Sequence, residues 1–306
     1  MPPSLKKPRP LKTGDTVAIM APASCFDKEA FFAGVKKIES RGFKVRYRED
    51  IFAKARYLAG DDERRFAELK EYLEDPKVVA IFAARGGYGS MRLLPRLDAL
   101  PQDLPPKIVI GYSDLTSLLM YFYQRWGWVT FHGPVVAKDI SERLQPSRES
   151  ELFRLLTQAT PLGTLAPPEA KTLHPGRAKG ILVGGCLSLV VCSLGTPYQL
   201  QTDDKILYLE DVGEKLYSLD RMMTHLRLAG LLNKVRGIVF GPLKEAHDDP
   251  AVVIAVLKEL VADLKVPMLF GFPSGHTENS LTIPLGVEVT LDADQAQLSF
   301  EESALA

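Results

Sequence analysis

Three stretches of this sequence are apolar without interruption and rich in β-branched residues: TVAIM at 16–20, VVAIFA at 78–83 and IVI at 108–110. A strand with one face in water alternates apolar and polar side chains, so a continuous run is expected to be buried on both faces. Between these runs, residues 27–42 and 61–74 show helical periodicity, the second with Phe66, Leu69 and Leu73 on one face and i,i+4 charge pairs. A further strand fits 43–47, Leu93, Leu94 and Leu97 open another helix, and 129–131 fits a last strand. Strand and helix alternating in this way specify an α/β fold, a doubly wound parallel sheet covered on both faces.

The texture changes after residue 137. Residues 141–175 are polar and Pro-containing with a single helix-like patch at 151–156. The segment 138–175 therefore reads as a linker between an N-terminal domain (1–137) and a C-terminal domain (176–306). In the second domain short strands fit 180–183, 205–210, 237–240 and 287–291, and helices fit 186–194, 216–229 and 251–264. This pattern does not read as another clean βαβ series. With 306 residues, each domain has enough chain to bury its own core.

Lys plus Arg equals Asp plus Glu, 38 against 38, which removes the electrostatic case for nucleic acid or an acidic membrane surface. No apolar run approaches the roughly 18 to 20 residues that span a bilayer, and the basic, Pro-rich N-terminus lacks the apolar centre of a signal peptide. Cys25, Cys186 and Cys192 are an odd number without metal-ligand spacing. A reducing compartment, the cytoplasm, is expected, with no metal and no cofactor.

The third apolar run continues into KIVIGYSDLTSLLMYFY, residues 107–123. Gly111 ends the strand, and Leu115, Leu118, Leu119 and Phe122 recur at helical spacing, which leaves Ser113 on the turn between strand and helix. There a hydroxyl projects clear of the sheet, and unpaired first-turn amides point toward the same spot, as a serine nucleophile needs. Ser, Asp and Thr at such a position also serve as ordinary caps. A second loop, Arg85-Gly86-Gly87-Tyr88-Gly89, follows one apolar run and is neither a dinucleotide fingerprint nor a P-loop. Loops after successive parallel strands share one edge of the sheet, so an amide of Gly86 or Gly87 can join that of Asp114 in an oxyanion hole. A tight strand–helix turn would use the same glycines.

A serine nucleophile needs a base, and the base an orienting group. Of the five histidines, His174, His225 and His247 read as surface residues, whereas His132, after a strand, and His276, in GFPSGHTENSLTIPLG, both fit. Position alone does not choose between them. For the orienting carboxylate, ILYLEDVGEK offers Glu210 and Asp211, of which only one can face the site because strand side chains alternate. Cys25 in APASCF is an alternative nucleophile that no second signal supports.

RGGYG with a Leu-rich helix after it, then IGYSDLTSLL, HGP, LEDVGEKLYSLDRM and GHTENSLTIPLG, in that order, resemble the LD-carboxypeptidase family of serine peptidases over residues 12–291. The resemblance implies Ser113 as nucleophile, Glu210 as orienting group and His276 rather than His132 as base. It implies a flavodoxin-like sheet in the N-terminal domain and a smaller β-rich C-terminal domain that contributes Glu and His. It also implies removal of the terminal D-alanine from cytoplasmic murein tetrapeptides in cell-wall recycling, by a homodimer. The substrate's carboxylate needs a cation or several N–H donors, and Arg85 and Arg221 are the candidate cations. The elbow reads G-Y-S-D, not G-x-S-x-G, so the α/β-hydrolase assignment is not supported. Some relatives hydrolyse a peptide–nucleotide antibiotic or aminoacyl-nucleotide conjugates and are expected to offer an aromatic platform. Both tryptophans here, Trp126 and Trp128, follow the nucleophile helix instead. A small-molecule-binding α/β protein whose Ser113 only caps a helix is the non-catalytic alternative.

Overall fold

In the computed structural model, which describes residues 4–244 and 249–306, the first apolar run is strand β1 (Thr16–Met20). It is followed by α1 (Lys28–Ser40), β2 (Lys44–Arg46), α2 (Asp62–Glu74), β3 (Val78–Ala83), α3 (Leu94–Leu97), β4 (Ile108–Gly111), α4 (Thr116–Tyr121) and β5 (Thr130–His132). Asp27 starts α1 by accepting the Ala30 N–H at 2.8 Å, and Asp61 starts α2 by accepting the Arg64 N–H at 2.8 Å. Each pairs an amide that the helix itself leaves unsatisfied. The strands lie in the order β2-β1-β3-β4-β5, every pair parallel. That is the flavodoxin-like order, in which the direction of strand succession reverses between β1 and β3 and ligands bind beyond the carboxyl ends there. Val17 to Met20, Ile81, Phe82 and Ile108 to Ile110 are fully buried, as continuous apolar runs require.

The chain continues through α5 (Pro146–Thr157), β6 (Gly163–Leu165), β7 (Lys171–His174), β8 (Arg177–Cys186), α6 (Leu187–Cys192), β9 (Lys205–Val212), α7 (Leu216–Leu228) and β10 (Gly237–Lys244). Then come α8 (Pro250–Leu260), β11 (Met268–Phe270), β12 (Ile283–Leu285), β13 (Glu288–Asp292) and β14 (Gln297–Phe300). Eight of these strands form a second sheet in the order β6-β14-β13-β8-β9-β10-β11-β7. Contacts divide the chain into one unit of Met1–Thr160, Glu278–Pro284 and Ala304–Ala306, and another of Pro161–Thr277 and Leu285–Ser303. Strand β12 accordingly joins the first sheet, beside β5.

Two features of the second half depart from the sequence-based expectation. Strands β8, β9, β10 and β11 are consecutive parallel neighbours with α6, α7 and α8 between them, so a βαβ series does exist there. It is masked in the sequence because α6 has only six residues and antiparallel strands flank the parallel centre on both sides. The stretch 138–175, a linker by composition, is built into the fold: it carries most of a helical segment at Val136–Arg143, then α5, β6 and β7. Phe153 of α5 is buried and stacks on Phe43 at 5.7 Å. Strands β6 and β7 are polar edge strands defined by their pairing, which hydrophobic periodicity cannot register.

Candidate active site

The turn after β4 is tightly constrained. A methyl on Gly111 would lie 2.8 Å from Leu115 Cγ and 3.1 Å from Ala83 Cβ, so only glycine lets the strand pass so close to its neighbours. Ser113 follows, half-buried, with φ of 62°, and opens a 3₁₀ turn (Ser113–Leu115) that leads into α4. A serine held in the left-handed region costs on the order of 1–2 kcal/mol, and such strain marks functional positions.

The glycine loop lies against this serine. A methyl on Gly86 would sit 2.9 Å from Ser113 Cβ and 3.2 Å from its Oγ. From the loop after β1, the Ser24 N–H donates to the Gly86 carbonyl at 3.2 Å, and Ser24 Oγ accepts the Tyr88 N–H at 3.1 Å. Gly87, at φ of 104°, passes so near Ser24 that an added methyl would be 2.3 Å from its Oγ. Among the described residues the amides of Gly86 and Gly87 have no acceptor. Backbone donors are therefore available beside a strained hydroxyl, an arrangement that can stabilise a developing oxyanion. The Asp114 carboxylate is buried beneath the turn, where it accepts the Ser90 N–H at 2.7 Å; burial pushes its pKa up.

In the second unit, the charge at the end of the apolar strand β9 meets a histidine. Glu210 is fully buried, and its Oε2 accepts both the His276 backbone N–H (3.0 Å) and His276 Nδ1 (2.8 Å). Burial pushes the Glu210 carboxyl above its ordinary pKa, opposed by the hydrogen bond and charge of His276. Gly275, at φ of 91°, makes the approach possible, because a methyl there would be 2.4 Å from the Glu210 carboxyl carbon. The Tyr208 hydroxyl donates to the Ser274 carbonyl at 2.6 Å and anchors the same loop. Asp211, pointing the other way, accepts the Ser188 N–H at 2.7 Å in the first turn of α6. The acidic pair thus divides into one residue that orients an imidazole and one that caps a helix.

The other candidates are placed as follows. His132 is fully buried on β5, with its ring 6.1 Å from that of Tyr112. His174 ends β7 with Nδ1 3.0 Å from the Pro175 carbonyl, His225 is exposed on α7, and His247 lies outside the described residues. Cys25 has its carbonyl bound by Arg85 Nη1 at 2.6 Å, and its N–H donates to the Tyr57 carbonyl. Arg221 is exposed, 5.7 Å from the Tyr217 ring, with Nη2 3.3 Å from Ser218 Oγ. Trp126 and Trp128 are fully buried with Phe122 and offer no platform to a ligand. Ser24, Ser90 and Tyr208 were not legible as site residues; only the position of Ser24 just past an apolar strand hinted at its place. Among the described residues no group of three or more His, Cys, Asp or Glu side chains could hold a metal ion, and no helix is long and apolar enough to cross a membrane.

Residues 17–133 match the LD-carboxypeptidase N-terminal domain, and residues 179–291 match the LD-carboxypeptidase C-terminal domain. A probable murein peptide carboxypeptidase of Bacillus subtilis is 35% identical over 295 residues, covering 94% of this chain and 91% of that protein. The microcin C7 self-immunity protein MccF of Escherichia coli is 29% identical over 329 residues, covering 97% and 96%. The crystal structure of a muramoyltetrapeptide carboxypeptidase from Oxalobacter formigenes superposes with a TM-score of 0.81 at 26% identity, covering 94% of this chain and 99% of that one. With both domains of the family matched and a relative at 35% identity along nearly the whole chain, this protein belongs to the LD-carboxypeptidase family of serine peptidases.

Proposed function

We propose that this protein removes the terminal D-alanine from murein tetrapeptides, cutting the bond that joins it to an L-configured centre, as part of cell-wall recycling in the cytoplasm. Ser113 Oγ attacks the carbonyl, His276 takes its proton and later delivers it to the leaving amine, and water releases the acyl-enzyme. Glu210 holds the imidazole and stabilises it when charged. The amides of Asp114 and of Gly86 or Gly87 receive the oxyanion. The observation that carries this most is the buried Glu210–His276 pair at 2.8 Å, a base already oriented by a carboxylate. The strained Ser113 beside unpaired glycine amides supports the nucleophile. Mass analysis of a murein tetrapeptide after incubation tests the assignment: loss of one alanine residue is expected, and an unchanged peptide would refute it.

Hydrolysis of aminoacyl-nucleotide conjugates is the alternative, favoured by the 29% identity to MccF. The burial of both tryptophans leans against it, since neither can stack on a base, and leaves an exposed tyrosine such as Tyr88 or Tyr217 as the ring that could serve. Incubating both substrate classes with the same preparation separates the two. The assignment includes a homodimer, read by sedimentation equilibrium. Free Cys25, Cys186 and Cys192 accord with a reducing compartment.

A further inference from the structure

The proposed oxyanion donors belong to a loop with glycines at 86, 87 and 89, and glycines bring freedom, not stiffness. Donors stabilise a developing charge only when they are held in place before the reaction. Here the holding comes from α2. Arg65 is fully buried, and its Nη1 donates to two carbonyls, that of Pro22 in the loop after β1 and that of Gly89 in the glycine loop (2.7 Å). Its Nη2 pairs with Asp62. One guanidinium thereby ties together the two loops that flank the reversal point of the sheet. One turn further along α2, buried Glu68 accepts the Ala21 N–H at 2.7 Å and pairs with Arg64 at 2.5 Å, fixing the start of the β1 loop.

The glycine loop is held from the nucleophile side as well. The Asp114 carboxylate accepts the Ser90 N–H at 2.7 Å, and Ser90 Oγ donates to the Asp114 carbonyl. The loop is therefore fastened at two adjacent residues, through the Ser90 N–H to Asp114 and, at Gly89, through the carbonyl to Arg65. A side chain there would lie 2.7 Å from Arg65 Nη1 and 2.7 Å from Leu58 Cδ2. Burying a guanidinium and a carboxylate is expensive, and well-packed apolar side chains are often as stable or more so. Stability alone does not account for the network.

We propose that Arg65 and the Asp114 carboxylate are positioning residues that lock the 86–90 loop to the Ser113 turn and so preset the Gly86 and Gly87 amides for the oxyanion. The proposal rests on Ser113 being the nucleophile. It predicts a loss in the transition state and not in substrate binding, because a displacement of about an ångström can cost on the order of a hundredfold in rate.

The test measures the second-order rate at which a fluorophosphonate labels Ser113, whose phosphonyl oxygen needs the same donors, in wild type, R65K, D114N and S90A. Rates are scaled to the folded fraction, and kcat and KM are determined with a tetrapeptide ending in D-alanine. The expected result is labelling about ten- to a hundredfold slower in R65K and D114N and several-fold slower in S90A, with kcat falling in parallel and KM within about twofold. Folded variants that label at the wild-type rate would overturn the positioning roles and leave Ser113 as nucleophile. A wild type that does not label overturns the nucleophile assignment itself. If R65K does not fold, D114N and S90A decide the matter by the same measurement.

Discussion

Oε2 of Glu210 accepts two hydrogen bonds from His276, one from its backbone N–H at 3.0 Å and one from Nδ1 at 2.8 Å. A carboxylate can only accept, so the proton sits on Nδ1, and in the proposed mechanism Nε2 is the atom that takes the nucleophile's proton. The bond strengthens as the ring becomes cationic, so its loss should be felt in the transition state. E210Q is expected to lower kcat by about 10²- to 10⁴-fold with a much smaller change in KM. D211N should keep kcat within about twofold and cost about 1 kcal/mol of stability, since Asp211 caps α6. Steady-state kinetics and urea unfolding on both variants check this; the reverse pattern would exchange the roles of the two acids.

Gly275 gives a second handle on the same pair. Alanine there would place its methyl 2.4 Å from the Glu210 carboxyl carbon at a φ of 91°. Steric overlap and left-handed backbone add, and G275A is expected to lose about 2 kcal/mol or more of unfolding free energy. The folded fraction should also lose most of its activity. An active, fully stable G275A would show that the loop can yield without disturbing His276.

Ser113 combines two effects that substitution separates. S113A removes the hydroxyl, and turnover should fall by at least about 10³-fold while the fold persists. S113G removes the hydroxyl and also the strain of a φ of 62°, so it should be more stable than S113A by about 1 kcal/mol. Chemical denaturation of the two inactive variants measures the difference. Greater stability of S113A would mean that the turn stores no strain.

Burial pushes the Glu68 carboxyl up to about 7 from an ordinary 4.5, although Arg64 and the Ala21 N–H favour its charged form. An acid raised by folding contributes stability that is fully present below about pH 4.5 and lost as pH rises through about 7. A shift of that size corresponds to about 3 kcal/mol. E68Q keeps an acceptor for Ala21 and cannot titrate. Between pH 4 and pH 8 the wild type should therefore lose about 2–3 kcal/mol more unfolding free energy than E68Q. Parallel pH profiles would show that Glu68 titrates alike in the folded and unfolded chain.

Stereochemistry tests the proposed substrate. A D-alanine methyl that fits one pocket would, in the L-isomer, occupy the place of the hydrogen and displace the carbonyl from Ser113. The tetrapeptide ending in D-alanine should be cut at least about a hundredfold faster, in kcat/KM, than its L-diastereomer or its carboxyl-amidated form. Equal rates on the D- and L-terminated peptides would leave a less selective serine hydrolase. Replacing Arg85 or Arg221 by Met should raise KM only if that cation holds the substrate carboxylate.

The first sheet could be read from the sequence because its central strands are apolar on both faces and its two longest helices, α1 and α2, start on aspartates, signals confined to a few neighbouring residues. Ser113 and the Glu210–Asp211 pair were visible for the same reason, each ending an apolar run. The face taken by Glu210 was not, since a period of two fixes alternation but not which side faces the histidine. Arg65 and Glu68 were hidden more deeply. On a helix with charges at i,i+3 and i,i+4 they look like solvent-facing ion pairs, and only tertiary burial shows otherwise. The parallel strands of the second half were obscured by short crossovers, and β6, β7 and β12 by their brevity.

The placement of β12 beside β5 bears on how the chain is made. Residues 283–285 complete a sheet whose other five strands lie before residue 133, with 150 residues of intervening sequence. During vectorial synthesis, β5 emerges early and stays an open edge until the ribosome has passed Leu285. At about 5–20 residues per second this exposure lasts on the order of ten seconds or more. An uncovered parallel edge is a template for pairing with another nascent chain. The risk of misassembly in the cell is thus set by elongation speed and by whatever shields that edge in the interval, not by the stability of the finished protein.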